Sequence, residues 1–298
     1  MYLFPESTLP AACPSVACFH VYVSGGVCFL TIFYDYIHDL LSTSRTVKKS
    51  DKEHEFKINT SSKSLLKIEF KKYFSSKGYL MNTIVGGIMG VVMIGVAVFS
   101  LLTDETMKEI LDVFRPYLSF MSLAVILMIG LSTPAASAIS MEGKNMWIIK
   151  SSPIDYKKYL QSKILLSEIV LAPFALVASI IISVLLKDDI IGILSTILSP
   201  QLYLLSMNYI SLVLNTRFYK LDWSNEMEVV KQSKCVFFVM LIDFVYTSIL
   251  SALLIGLSLV INMWVGALVA LVFCLSMALI SRNVLYKKGP KRIANIEV

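Results

Sequence analysis

Apolar residues in this chain gather into seven long blocks, at about 15–38, 83–102, 117–139, 165–186, 190–213, 236–260 and 264–285, here called spans A to G. About 20 apolar residues at a rise of about 1.5 Å cross a hydrocarbon core of roughly 30 Å, so each block is long enough to be a membrane helix. Span B, from Thr83 to Leu102, has no charge at all and is the clearest. Span A is interrupted by Gly25 and Gly26 and is the weakest. Between the blocks the pattern changes. Residues 41–63 are polar and rich in Lys and Ser with no apolar period. Over 64–77, Leu66, Phe70 and Tyr73 follow an i, i+4, i+7 spacing with Phe74 alongside, and Lys67, Lys71 and Lys72 take the remaining surface. That pattern predicts a basic amphipathic helix lying at the membrane interface ahead of span B. Segment 103–116 predicts a short helix, with Thr103 as cap, Asp104 and Glu105 at its positive end and Pro116 closing it. Pro134, Pro173 and Pro200 fall inside spans C, D and E and predict kinks there. Gly86 and Gly90 of span B form a small-xxx-small pair suited to close helix packing.

The basic residues refine this picture into a topology. All but three of the 27 Lys and Arg lie in segments 41–80, 140–164, 215–235 and 282–298; the exceptions are Lys108, Arg115 and Lys187. Basic segments therefore alternate with poor ones, and the positive-inside rule puts the C-terminus in the cytoplasm of a multi-pass cell-membrane protein. With seven spans the N-terminus lies outside. The net charge of +6 is spent on topology. It leaves no basic stripe for nucleic acid. Composition agrees, with 56% hydrophobic residues, 16% charged and a mean hydropathy of +0.71. A soluble domain carries about 25% charged residues, so a soluble enzyme and a disordered chain are both excluded. The fold class expected is all-α: a polytopic helical membrane protein of six or seven transmembrane helices, with an interfacial amphipathic helix before the main six-helix bundle.

Candidate chemistry is sparse. The chain has no G-x-x-x-x-G-K-[ST] phosphate loop, no H-E-x-x-H and no C-x-x-C. No cofactor, metal or catalytic residue is assigned. His20, His38 and His54 are scattered, and the face Asp35, His38, Asp39 reads as the solvated end of span A. The five Cys read as unpaired; Cys13 and Cys18, which face the outside, are badly spaced for a bridge on one helix. Two acids fall within spans. Asp243 lies roughly 10 Å into span F by helical rise, where it either bonds a neighbouring helix or serves a functional or conformational role. Glu168 lies near the end of span D and reaches the headgroup region.

Two polar segments carry the most information. The first runs from Ser140-Met-Glu142-Gly143-Lys through Trp147 to Lys150-Ser-Ser152-Pro153 and on to Tyr156 and Lys163. Ser152 before Pro153 predicts a helix start, with Ile154, Tyr156, Tyr159 and Leu160 as anchors. The second runs from Asn215 through Leu221-Asp222-Trp223-Ser-Asn-Glu226 to Lys231. Either, on pattern alone, is also compatible with a loop lying on headgroups. The first resembles the cytoplasmic loop of bacterial type-2 ATP-binding-cassette exporter permeases, in which an E-G-K, then W, then K-S-x-P series precedes a short coupling helix. The second is similar to the second cytoplasmic loop of a subgroup of these exporters, and the basic helix before span B to their connecting helix.

The likeness covers roughly 40–290. It implies a membrane-spanning subunit with an ATP-binding-cassette ATPase as partner, membrane lipid around it and a second permease chain beside it. The coupling helix would fall at about Ser152 to Lys163, with Glu142, Gly143, Trp147, Lys150, Ser152, Pro153 and Tyr156 as its coupling positions. Asp222, Trp223, Glu226 and Lys231 would mark the second loop. Members of the subgroup are about twice as long, so the chain is expected to be a C-terminal half. Its parts would be a remnant span over 1–40, a linker with the interfacial helix over 41–80, a permease domain over 81–286 and a basic tail over 287–298. From the residues themselves two other classes stay open. One is an ion-coupled secondary transporter using Asp243 and Glu168, and the other is a non-transporting membrane scaffold.

Overall fold

The computed structural model describes residues 62–103, 122–186 and 190–297. Span A, the linker up to 61, the helix expected from 104 to 116 and the first residues of span C lie outside these. Every regular element described is helical: α1 (Ser62–Ser75), α2 (Lys77–Leu80), α3 (Gly86–Thr103), α4 (Ser122–Leu131), α5 (Met146–Ser151), α6 (Tyr156–Leu186), α7 (Ile190–Asn215), α8 (Glu226–Val230), α9 (Lys234–Val260) and α10 (Met263–Ala294). A π-helical turn, Met81–Val85, joins α2 to α3, and 3-10 turns at Pro134–Ala136 and Ser140–Asn145 join α4 to α5. Six helical stretches are long and apolar enough to cross a membrane: Lys77–Ser100, Ser122–Ser151, Tyr156–Ser183, Gly192–Asn215, Glu226–Val260 and Trp264–Ala294. The protein is an all-α, polytopic helical membrane protein.

Helix α7 lies at the centre and packs on α4, α6, α9 and α10. Its composition explains the position. Ser206, Asn208, Ser211 and Asn215 are buried on it, whereas the outer surfaces of α3, α9 and α10 expose Met89, Val92, Phe99, Phe244, Leu268 and Val272. Lipid tails are as apolar as leucine, so helices in a bilayer gain little by hiding apolar faces from lipid and pack instead through small and polar residues. Three of the four glycines of α3 serve packing within the chain: Gly86 faces Ser132, Gly87 faces Phe174 and Gly90 faces Met128, whereas Gly95 faces open space.

The structure departs from the sequence expectations in four places. Span C does not continue as one helix to 139. Pro134 pushes Thr133 into an extended conformation (ψ 111°) and α4 stops at Leu131. Side-chain donors meet the carbonyls around the break: Thr133 Oγ1 donates to Gly130 O at 3.0 Å, at the helix end, and Tyr79 Oη to Pro134 O at 2.7 Å, in the turn that follows. Ser152 and Pro153 do not start a helix. The Ser152 hydroxyl donates back to Ile148 O at 2.7 Å and closes α5. The next helix begins at Asp155, whose carboxylate accepts from Lys157 N at 2.9 Å and whose carbonyl accepts from Tyr159 N at 3.0 Å. From there α6 runs unbroken through Pro173 into the membrane span, so no separate coupling helix covers 152–163. The helix before span B hides Leu65, Glu69, Phe70 and Tyr73 against α6, leaving Leu66 half-buried and Ile68 and Phe74 exposed. Finally, the segment expected as a basic tail from 287 continues the helix of span G. α10 extends to Ala294, Ile293 and Ile296 are buried, and the Arg292 guanidinium donates to Val213 O at 3.2 Å and Thr216 Oγ1 at 3.1 Å.

Candidate functional site: a buried polar joint at the basic end

At the basic end of the bundle, α1, the 3-10 segment Ser140–Asn145 and the start of α6 meet around four charges. Lys163 Nζ donates to Glu69 Oε2 at 2.7 Å and to Glu142 Oε1 at 2.5 Å. Lys72 Nζ reaches the other oxygen of Glu142 at 2.6 Å. Tyr159 Oη donates to Glu142 Oε1 at 3.0 Å. The side chains of Lys163, Glu142 and Glu69 are 2%, 1% and 7% exposed, and that of Lys72 is 42% exposed. Two acids balance two lysines, which lets the cluster stay out of water. Burial still holds the Glu69 carboxyl above its ordinary range, against the attraction of Lys163.

The second polar segment closes over the first. Asn215, at the end of α7, accepts from Ile139 N at 2.7 Å and Ser140 N at 3.2 Å, and its amide donates to Ser140 Oγ at 2.9 Å. Trp223 Nε1 donates to Ser140 O at 2.9 Å. The indole packs against Gly143, whose backbone has φ +50° and ψ −133°. Glu226, opening α8, accepts from Ser76 Oγ at 2.6 Å and Gly78 N at 3.3 Å and so ties the second segment to the α1–α2 elbow. Between these walls lies a polar cavity of about 210 Å³, bordered by Lys72, Tyr73, Ser76, Asn145, Trp223 and Glu226.

The expected coupling positions thus divide into a buried root and an exposed head. Glu142 and Gly143 are buried in the joint. Trp147 and Pro153 face outward, as does Ile148, with Trp147 57% exposed. Lys150 donates to Ile296 O and anchors the chain end. Tyr156 packs against the cluster around Tyr159 and Leu160. In the second segment Trp223 and Glu226 join the node, whereas Asp222 and Lys231 are exposed and stand apart from it.

The intramembrane acids belong to neither group. Glu168 accepts from Asn208 Nδ2 at 2.8 Å, inside the bundle. Asp243 accepts from Tyr203 Oη. The sequence pattern did not mark Glu69 or Ser76, gave Asn215 only as the start of the second segment and placed Lys72 on the outer surface. The one available signal was Glu69, an acid on the apolar side of a basic helix.

Glu226→Ala removes the acceptor shared by Ser76 and Gly78. It is expected to cost about 1–2 kcal/mol, read as a lower unfolding midpoint in detergent with the helix content unchanged.

No family model matches the chain, and neither the curated proteins nor the solved structures contain a match. What the fold and site define is a class: a multi-pass helical membrane protein with a compact polar joint at its basic end.

Proposed function

We propose that this chain is the membrane-spanning permease subunit of an ATP-driven exporter, held in the cell membrane with its basic end and C-terminus in the cytoplasm. ATP is bound and hydrolysed on a separate ATP-binding-cassette subunit. The observation that carries the reading is the division of the first polar segment. Its root, Glu142 and Gly143, is locked among α1, α6 and α8, while its head presents Trp147, Ile148 and Pro153 to the outside. A partner that pushes on α5 therefore acts on the ends of several spans at once. The partner shifts the equilibrium of the bundle only through contacts that differ between its states.

The reading is tested by purifying the chain from its native membranes, identifying any ATP-binding-cassette ATPase that comes with it and measuring ATP turnover in lipid. A buried tryptophan anchor is worth about 2 kcal/mol at an interface, so Trp147→Ala is expected to weaken the complex about 30-fold. Pro153→Ala is expected to lower permease-stimulated turnover without dissociating the chain from the membrane. Stable co-purification with full turnover in both variants overturns the assignment.

A further inference from the structure

Asp243 is fully buried on α9. It sits about 13 Å along that helix from Lys234 by helical rise. Tyr203 of α7 donates to Oδ1 and also lies 3.0 Å from Thr247 Oγ1. Oδ2 has no hydrogen-bond partner among the described residues. On the third side stands Gly130 of α4, against which the carboxyl packs so closely that a methyl group there would overlap it. The titratable groups in the surrounding cluster are Tyr203 of α7, Tyr246 and Cys235 of α9 itself, and Cys274 of α10; α4 brings none. Among the described residues no Lys, Arg or His pairs with Asp243.

A carboxylate in this place would be a bare charge within the hydrocarbon, one oxygen unsatisfied and no cation to offset it. A carboxylic acid fits. Its neutral form accepts the Tyr203 hydroxyl on Oδ1, carries a hydrogen on Oδ2 and can lie flush on a glycine. We infer that Asp243 holds a proton inside the bundle and that release of this proton separates α4 from α9. In the release step the Oδ2–H bond breaks, the proton passes to an entering water, and the electron pair stays on the carboxylate. The new charge needs hydration, and Gly130 closes the carboxyl on the α4 side, nearest Oδ1, so water entering there must part α4 from α9. Helix α4 leads through Pro134 into the segment bearing Glu142 and Trp147, so proton release also bears on the joint at the basic end. The inference goes beyond the permease reading and does not depend on it.

The folded state keeps a proton that the unfolded chain gives up, so stability is greatest at acid pH and falls as pH rises. The test uses the full chain in lipid nanodiscs, by infrared spectroscopy across pH, with the unfolding temperature measured in parallel. The expected result is a protonated-carboxyl band in the wild type that fades as pH rises and is missing from Asp243→Asn. The Glu168 carboxyl is unchanged in that variant, so the Asp243 band is read as the difference between the wild type and Asp243→Asn. The wild type should lose unfolding temperature at alkaline pH by several degrees more than Asp243→Asn. Tyr203→Phe removes the hydrogen bond that favours the ionised form, so the band should persist to higher pH; this variant serves if Asp243→Asn fails to fold. Identical pH profiles in wild type and variants overturn the inference. So does a band that yields to sodium or potassium rather than to pH, which would assign the site to a metal cation.

Discussion

Lys163→Met is expected to cost about 3–5 kcal/mol, the range found when one partner of a buried ion pair is removed. The reason is that one ammonium serves two carboxylates, Glu69 at 2.7 Å and Glu142 at 2.5 Å, on side chains almost free of solvent. Methionine fills much of the same volume, so the loss is electrostatic rather than a cavity. Lys72→Met offers the contrast. Lys72 is 42% exposed and its pair with Glu142 is open to water, so its removal is expected to cost about 1 kcal/mol or less. Adding Glu69→Gln to Lys163→Met should recover part of the loss, because Glu69 is the carboxylate left without a close cation while Lys72 still holds Glu142. Denaturant unfolding in mixed micelles measures all three variants against the wild type. Equal costs for the two lysines would mean that the cluster is hydrated and does not hold the joint.

Gly143→Ala is expected to cost about 1–3 kcal/mol from the backbone alone, since its φ and ψ belong to a region that only glycine enters readily. A Cβ would also stand 3.0 Å from the Trp223 indole, tighter than ordinary packing. The two contributions separate in a double variant. Trp223→Ala relieves the crowding but not the torsion, so Gly143→Ala should be less damaging in that background yet still destabilising. In the presence of the ATPase partner, the displaced indole should also lower stimulated turnover more than the stability loss alone accounts for. An alanine variant as stable as the wild type would show that the backbone at 143 relaxes to an ordinary conformation.

These two residues show how far the sequence carries. The E-G-K series marks Glu142 and Gly143 as special, but nothing in it says that the glycine is needed because of a tryptophan 80 residues later. Nor does it say that the glutamate meets lysines from two other helices. Lys72 and Lys163 look alike in sequence, each one of several lysines in a basic segment. Only packing makes one of them half-exposed and the other the centre of the cluster. The misplaced helix start has a similar origin. Ser152-Pro153 and Asp155 both carry capping signals, and the competition was settled when the Ser152 hydroxyl turned back to Ile148.

By itself the sequence determined that the protein is all-α, where five of the six described apolar spans fall, and that two long polar segments lie between spans among the basic stretches. Those properties are local. Helix length, apolar content and charge beside the membrane are written within some 20 residues of chain, and the bilayer reads them there. The break in span C at Pro134 was visible as a proline but not as an end. Tertiary structure alone decided the rest. The hydrogen bonds that make the joint span 70 residues from Lys72 to Glu142, 94 from Glu69 to Lys163 and 150 from Ser76 to Glu226. The pairing of Asp243 with Tyr203 likewise crosses 40 residues. A buried polar group must find a partner, and which partner it finds depends on the helices that packing brings beside it.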